Sequence, residues 1–224
     1  MKLLLVGYGK MGHLVEQMAA EQNHTIAGRV DVDGQGWTDA DVAIDFTTAE
    51  ALVANFPKYI ERRMPVVIGT TGWSVHEPAL RAEAGRADLG VVAAANFSIG
   101  VNLFEMMVRH AAALMKDHKQ YGAWIHELHH AAKIDAPSGT ALTLKRAMID
   151  SGYQAGIDTS STRAGMIPGT HTIGFDGASD TIELIHRARD RRGFAGGAIL
   201  AAQWIRGRHG WFSMADVLAS MSNA

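Results

Sequence analysis

The residues best suited to chemistry lie in the stretch HELHHAAKIDAPSGTA, positions 126–141. It places two imidazoles, His129 and His130, shortly before the ammonium group of Lys133. A histidine that titrates near neutrality is the usual proton donor or acceptor in enzymes. Because a cluster of cations also binds anions, the pattern predicts a site where a negatively charged small molecule receives a proton.

A predicted helix start directly after these cations supports an anion site. The segment 135–140 leads into good helix formers over 141–149, and Ser138 is a typical residue at a helix start. The backbone N–H groups of Gly139 and Thr140 would then point out of the positive end of that helix, where a carboxylate fits. A bound dianion would also raise the pKa of a nearby imidazole. We therefore predict substrate contacts at Ser138, Gly139 and Thr140.

The same stretch opens with His-Glu-x-x-His, the zinc-protease signature, which suggests a competing interpretation. That signature needs a helix with His126 and His130 on one face and Glu127 as the base. The preceding residues YGAWI favour an extended chain, in which the two imidazoles would stand about 13 Å apart. Lys133 also stands where the longer signature has glycine. We predict no metal ligands here, and a zinc enzyme is the least favoured alternative.

A second group of residues indicates a dinucleotide cofactor. The apolar run Leu3–Val6 is followed by Gly7-Tyr8-Gly9-Lys10-Met11-Gly12 and then by a helical pattern. A strand, a G-x-G-x-x-G turn and a helix form the fingerprint that binds a pyrophosphate at the helix N-terminus. Asp31 lies 19 residues beyond Gly12, close to the spacing of a carboxylate that meets the adenosine ribose. The pattern predicts NADH, NADPH or both as cofactor.

The elements that must position these residues alternate between strand and helix in the first hundred positions, which indicates parallel βαβ units. Ligands bind outside the carboxyl ends of such strands. Two short loops at predicted strand ends, Gly69-Thr70-Thr71 and Asn96-Phe97, are therefore candidates to line the nicotinamide and ribose pocket. The alternative is that they serve only as turn and cap residues.

The character of the chain changes after Asn96-Phe97-Ser98. One long helix and three strands are predicted next, at 99–115, 124–129, 171–175 and 181–186. Helical patterns return at 194–205 and 214–220. We predict an α/β protein with an N-terminal Rossmann-like parallel sheet and a smaller α+β domain with a mostly antiparallel or mixed sheet. Residues 1–97 with 193–224 would bind the dinucleotide, and 98–192 would serve substrate binding and oligomerisation.

The composition narrows the possible partners and compartment. The 224 residues carry a formal net charge of −2, which favours neither nucleic acid nor a membrane surface. Cysteine is absent, which excludes thiolate metal sites and a cysteine nucleophile and is typical of a reducing cytosol. There is no apolar run of about 18 residues and no signal-peptide core. We expect a cytoplasmic protein without nucleic-acid or membrane partners.

Taken together, these residues resemble the 4-hydroxy-tetrahydrodipicolinate reductase (dihydrodipicolinate reductase) family. Residues 127–141 are closely similar to its signature, and the likeness includes the glycine turn, Asp45-Phe46-Thr47, Gly69–Gly72 and 96–102. The resemblance implies that NADH or NADPH reduces a cyclic, conjugated dicarboxylate with overall loss of water, in lysine and diaminopimelate biosynthesis. It also implies a homotetramer built through the second domain.

The resemblance assigns roles to individual residues. His129 matches the catalytic acid/base, and Lys133 matches a proton donor that also pairs with a substrate carboxylate. His130, Gly139 and Thr140 match substrate contacts. The implied cofactor contacts are Gly7, Tyr8, Gly9, Lys10, Met11, Gly12, Asp31, Gly69, Thr70, Thr71, Ala94, Ala95, Asn96 and Phe97.

Val32 stands where many members of the family carry an arginine that can meet the 2′-phosphate of NADPH. Lys10 or Arg29 could substitute for it, so we predict that both cofactors are used. Two other functions are also compatible with these residues. One is a different nicotinamide dehydrogenase of a small amino or keto acid, of the homoserine or aspartate type, and the other is a non-catalytic dinucleotide sensor.

Overall fold

The computed structural model describes residues 1–222, which form two compact units. The first unit contains Met1–Ile99 and the C-terminal segment that begins at Arg192, and the second contains Gly100–Arg191. The two boundaries lie within two residues of the junctions expected from the sequence, at 97 and 193. Among the described residues, no helix is both long and apolar enough to cross a lipid bilayer.

Strands and helices alternate in the first unit, whereas strands predominate in the second. The strands of the described chain are β1 (Lys2–Val6), β2 (Thr25–Val30), β3 (Val42–Asp45), β4 (Val66–Ile68), β5 (Gly90–Ala93), β6 (Gly122–His129), β7 (Ile157–Arg163), β8 (Thr170–Asp176), β9 (Thr181–Arg187) and β10 (Gly210–Phe212). Its α-helices are α1 (Lys10–Glu21), α2 (Ala49–Glu61), α3 (Glu77–Arg86), α4 (Ile99–Met115), α5 (Gly139–Asp150), α6 (Arg192–Ile205) and α7 (Met214–Ser222).

The first unit is built on a six-stranded parallel sheet with the order β10-β5-β4-β3-β1-β2. The register aligns the last residues of five strands in one row: Val30, Val6, Asp45, Ile68 and Ala93. Because the chain winds to opposite sides of β1, the switch point of the fold lies between β1 and β3. The loops that follow this row therefore share one edge of the sheet.

Helices cover both faces of this sheet, which explains why its central strands are apolar on both sides. One face packs Leu3, Leu5 and Val92 against α1, α6 and α7. The other face packs Leu4, Val6 and neighbouring residues against α2 and α3. The C-terminal helices thus complete the core of the first unit.

The second unit contains a four-stranded mixed sheet with the order β7-β6-β8-β9. The β6–β7 pair is parallel, and the β6–β8 and β8–β9 pairs are antiparallel. One face of the sheet packs its apolar side chains against α4 and α5. On that same face, the register places Ser161, Glu127, His171 and His186 in one row across the four strands.

The predicted fold class is confirmed, and the helix predicted at 99–115 has those bounds. Two strands were not predicted. The sequence of β7, IDTSSTR, is polar except for its first residue, and β10 has only three residues. Loops follow β3 at 46–47, β4 at 69–72 and β5 at 94–95, and the loop predicted at 69–71 is confirmed. These loops follow the aligned row of strand ends, where cofactor contacts are expected.

Candidate active site

The end of β6 and the start of α5 are joined by hydrogen bonds within the second unit. The backbone N–H of Ser138 donates to Oε1 of Glu127 at 3.2 Å. Oγ of Ser138 and Nε2 of His171 are also 3.2 Å apart. The predicted imidazole site and the predicted helix start therefore form one cluster.

The first turn of α5 has the geometry predicted for an anion site. Ser138 is the N-cap, in extended conformation, and its Oγ accepts the backbone N–H of Ala141 at 3.2 Å. The N–H groups of Gly139 and Thr140 are then the remaining donors of this turn. A Cβ added at Gly139 would meet no atom within 4 Å, so the space beside the helix start is open.

Lys133 is paired with a carboxylate of the chain itself. Its Nζ lies 2.7 Å from Oδ1 of Asp135, whose side chain is more than half exposed. The hydrogen bond from Lys133 is the main cause that lowers the pKa of the Asp135 carboxyl, and the backbone N–H of Gly139 acts in the same direction. The donors predicted for a substrate carboxylate thus act together on one carboxylate of the chain itself.

His129 is held in the interior at the end of β6. Its side chain is 11% exposed, and its Nδ1 pairs with Oε2 of Glu127. The ring of His171 stands edge-to-face to it, with 5.2 Å between centroids. Burial lowers the pKa of His129, Glu127 opposes this shift, and the charges of Lys133 and Arg163 add to it. The imidazole is therefore neutral at pH 7 in the unliganded protein.

Glu127 is fully buried and ionised. Its Oε1 accepts a 2.6 Å hydrogen bond from Nη2 of Arg163. Burial acts to raise the pKa of its carboxyl, but hydrogen bonds from Arg163 and Ser161, and the charge of His129, hold that pKa at about 2. Burial also lowers the pKa of His171 to about 4, with the charge of His129 contributing.

Glu127, His129 and His171 each offer one potential metal-ligating atom, and these atoms lie within 4.8 Å of one another. Arg163 already compensates the carboxylate at 2.6 Å, and Lys133 adds a second positive charge near His129. A divalent cation would face both of these charges at close range. We therefore assign no metal to the cluster.

The histidines of the zinc signature do not belong to this cluster. His126 lies in β6 on the opposite face of the sheet from Glu127, with its Nε2 3.0 Å from Oγ1 of Thr162. His130 follows the strand directly, and its backbone carbonyl accepts the N–H of Lys133 at 3.1 Å. The extended chain predicted at 124–129 is confirmed, so the helix that the zinc hypothesis needs is not formed.

In the first unit, every predicted cofactor residue follows a member of the aligned row of strand ends. Gly7–Gly12 follow Val6, and Asp31 follows Val30. Gly69–Thr71 and Ala94–Phe97 follow the ends of β4 and β5. The register thus brings these separate parts of the sequence to a single edge of the sheet.

The glycine turn has the close packing that a dinucleotide turn requires. Gly7 has φ +88°, and a Cβ there would lie 2.6 Å from the carbonyl carbon of Phe46. A Cβ at Gly12 would lie 2.5 Å from the carbonyl oxygen of Gly7, so α1 packs directly on the turn. Gly9 is the N-cap of α1, and a Cβ added there would have no atom within 4 Å. These features fit a pyrophosphate at the start of α1.

Near this turn, Arg29 is engaged by its neighbours. Its guanidinium pairs with Glu16 and lies over the ring of Tyr8, 5.5 Å from the centroid. The hydroxyl of Tyr8 donates to the same carboxylate. Arg29 is therefore already paired with Glu16, whereas Asp31 is exposed beside it.

Asp45 organises the loops that follow β3 and β4. Its buried carboxylate accepts hydrogen bonds from Oγ1 of Thr47 at 2.6 Å, Oγ1 of Thr70 at 2.8 Å and the Tyr59 hydroxyl at 2.7 Å. Thr70 therefore points its side chain into the protein, and Phe97 is likewise buried in the core. At these two predicted positions, only the backbone is available for a cofactor.

Several residues of both sites were given no role in either site from the sequence. They are Asp45, Tyr59, Arg163 and His171, together with Glu127, which was considered only as the base of a zinc site. Their roles depend on strand register and on partners far away in the chain. The one local signal was Glu127 itself, two residues before His129.

Comparison with known proteins gives the family. Two family models, described as dihydrodipicolinate reductase N-terminus and C-terminus, match residues 34–97 and 100–218. The chain belongs to the dihydrodipicolinate reductase family. The resemblance noted in the sequence is thereby confirmed, and the N-terminal match lies within the first unit.

Individual relatives agree with this family. A 4-hydroxy-tetrahydrodipicolinate reductase of Christiangramia forsetii is 35% identical over 99% of both chains. Another, from Rhodopseudomonas palustris, is 40% identical over 80% of this chain and 73% of its own. A dipicolinate-bound dihydrodipicolinate reductase from Paenisporosarcina sp. TG-14 has the same fold, with a TM-score of 0.82, 21% identity and coverage of 95% and 97%.

Proposed function

We propose that the end of β6, Lys133 and the first turn of α5 form the substrate site of a 4-hydroxy-tetrahydrodipicolinate reductase. The protein is an NAD(P)H-dependent oxidoreductase of this family, in lysine and diaminopimelate biosynthesis. The observation that carries the site assignment is the Asp135 carboxylate, on which Lys133 and the N–H of Gly139 act together.

The substrate class follows from these donors. A carboxylate of the substrate would replace Asp135 at Nζ of Lys133 and at the N–H groups of Gly139 and Thr140. Because Asp135 is exposed, it can move away at small cost. We assign His130, at the turn before Lys133, to the same molecule or its second carboxylate. A small cyclic dicarboxylate is therefore the ligand that this set of groups fits.

The proton chemistry is assigned to His129. NADH or NADPH supplies a hydride when it is bound, and the reduced ring then requires a proton. His129 is neutral without substrate because it is buried and faces Lys133 and Arg163. Two substrate carboxylates nearby would raise its pKa toward neutrality, so that substrate binding itself prepares the imidazole as an acid.

The cofactor is assigned to the first unit. The glycine turn and α1 would hold the pyrophosphate, and Asp31 would meet the adenosine ribose. The loops 69–71 and 94–97 would line the nicotinamide end, with backbone groups at Thr70 and Phe97. The close packing at Gly7 and Gly12 and the open space at Gly9, where α1 begins, support this assignment.

We also propose a cytoplasmic homotetramer that assembles through the second unit. The face of its sheet opposite α4 and α5 carries Trp124, Leu128 and Ile185, none of which belongs to the core. Ile185 is 40% exposed on strand β9, at the sheet edge. A second copy would cover this self-complementary surface. Ile185→Lys is expected to reduce the mass measured by light scattering from four chains to fewer, and an unchanged mass would remove this surface from the interface.

Steady-state oxidation of NADH and NADPH with freshly generated substrate tests the function. We expect His129→Gln and Lys133→Ala each to lower kcat/KM at least about 10-fold, because each removes a proton donor or charge partner. His118→Gln is the control for loss of an imidazole, since His118 is exposed between α4 and β6. Unchanged turnover in both site variants would refute the assignment, and turnover only with an amino or keto acid would indicate a different dehydrogenase.

A further inference from the structure

Glu127 is an ionised carboxylate with no exposure at all, and such a group persists in a protein interior only when it is fully paired. Its two oxygens have different partners. Oε1 accepts hydrogen bonds from Arg163 at 2.6 Å and from the N–H of Ser138 at 3.2 Å. Oε2 faces Nδ1 of His129. One side chain therefore touches the imidazole, the helix start and the neighbouring strand.

The contact at Oε2 determines which nitrogen of His129 can react. A carboxylate can only accept hydrogen bonds, so Nδ1 must carry the proton that it directs to Glu127. In the neutral ring, Nε2 is then the unprotonated nitrogen. Gly169 borders that nitrogen, and a side chain at this position would crowd it, because a Cβ added at Gly169 would lie 3.1 Å from Nε2. Nε2 is therefore the atom available to exchange a proton with a ligand.

The contact at Oε1 connects the same carboxylate to the anion site. Ser138 donates its N–H to Glu127, and its Oγ caps α5 by accepting from Ala141. Arg163 keeps the carboxylate in place and also donates to the backbone carbonyl of Asp135 at 2.6 Å. The imidazole at the end of β6 and the first turn of α5 thus both contact the Glu127 carboxylate.

We propose that Glu127 is a positioning residue, which holds His129 as the Nδ1–H tautomer with Nε2 toward the substrate and fixes the start of α5 relative to that nitrogen. This inference rests on the proposed role of His129 as the proton donor. It assigns Arg163 to holding Glu127, and it leaves the proton transfer itself to His129. Similar carboxylate–histidine pairs orient imidazoles in other enzymes.

The first test measures the wild-type protein. Nitrogen-15 NMR of histidine-labelled protein at pH 7.5 distinguishes protonated from bare ring nitrogens, and a His129→Gln spectrum identifies the His129 signals. The groups that face this ring are Glu127 on its own strand, Arg163 on β7, His171 on β8 and Lys133. We expect a neutral ring with the proton on Nδ1. A proton on Nε2 and a bare Nδ1 would overturn the proposal.

The second test is Glu127→Gln, which keeps size and an oxygen for Ser138 and Arg163 but presents an amide to His129. We expect kcat to fall at least about 100-fold, the contribution of a positioned general acid, while KM for the dicarboxylate changes less than about threefold. Glu61→Gln is the control for loss of one acidic charge, since Glu61 is exposed at the end of α2. It is expected to match the wild type.

The outcomes distinguish a failure of this inference from a failure of the proposed function. If His129→Gln is slow but Glu127→Gln turns over like the wild type, the positioning role is wrong and the reductase site stands. If His129→Gln itself turns over like the wild type, the proposed role of His129 as the proton donor is wrong. The inference about Glu127, which rests on that role, is then wrong as well. A Glu127→Gln protein that does not fold leaves the decision to the NMR experiment on the wild type, which is decisive in either direction.

Discussion

A methyl group added at Gly197 tests how closely α6 approaches the loop after β5. Gly197 is buried, and a Cβ there would overlap the carbonyl oxygen of Phe97 and lie 2.9 Å from its carbonyl carbon. Because the obstacle is backbone, the overlap is relieved only if α6 or the loop shifts. The adjacent Gly196 is a matched control, since its Cβ would lie 3.2 Å from the terminal methyl of Met18, the flexible end of a side chain.

The magnitudes follow from two opposing terms. Replacing glycine by alanine within a helix gains about 1 kcal/mol. Overpacking against a rigid neighbour costs about 3 kcal/mol, the upper part of the usual range. Gly197→Ala should therefore lose about 2 kcal/mol, a fall in Tm of about 4–8 °C for a chain of this size. Gly196→Ala should keep or slightly raise the Tm.

Thermal denaturation followed by circular dichroism measures both variants, and NADH titration adds a functional readout. Asn96 and Phe97 belong to the proposed nicotinamide loop, so Gly197→Ala should also weaken NADH binding, whereas Gly196→Ala should not. If the Tm of Gly197→Ala equals or exceeds that of Gly196→Ala, α6 does not pack on the loop as described. The proposed positioning of that loop would then lose its basis.

Three further predictions concern the buried polar groups and the cofactor. Tyr59→Phe removes a hydrogen-bond donor from buried Asp45 and should lower the free energy of unfolding, measured by urea titration, by about 1–3 kcal/mol. Tyr121→Phe is the control, because it loses only an exposed hydrogen bond and should leave the urea midpoint unchanged. The pKa of His171 is lowered to about 4, so the contribution of its neutral imidazole to stability is present above pH 6.5 and is lost as the pH falls toward 4. Between pH 6.5 and 4, the Tm of His171→Gln should therefore depend less on pH than the Tm of the wild type. Steady-state kinetics should give kcat/KM values for NADH and NADPH that differ less than about 100-fold, and a larger preference would refute dual use.

The parallel sheet and the residues of both candidate sites could be predicted from local patterns. Apolar runs such as that of β1, each ending in glycine or small polar residues, define strands that are buried on both faces. The His129-His130-x-x-Lys133 spacing and the capped start of α5 are likewise local features. Each of these features lies within a single strand, turn or helix start, so a short window of sequence contains it.

The groups that support the sites depend on distant partners, so local patterns do not reveal them. Glu127 appears in the sequence as one acid among histidines, but its burial depends on Arg163 in β7. That strand is polar and shows no clear alternation, so its existence follows only from pairing with β6. Asp45 is a similar case, since its hydrogen bonds come from Tyr59 and Thr70, 14 and 25 residues away.

The most direct test of the proposed site is a crystal structure with NADH and pyridine-2,6-dicarboxylate, an inert planar mimic of the substrate. We predict one carboxylate within about 3.2 Å of Nζ of Lys133 and of an N–H group of Gly139 or Thr140, in place of Asp135. Nε2 of His129 should face the ring. A dicarboxylate bound without contact to Lys133, His129 or the first turn of α5 would contradict the account.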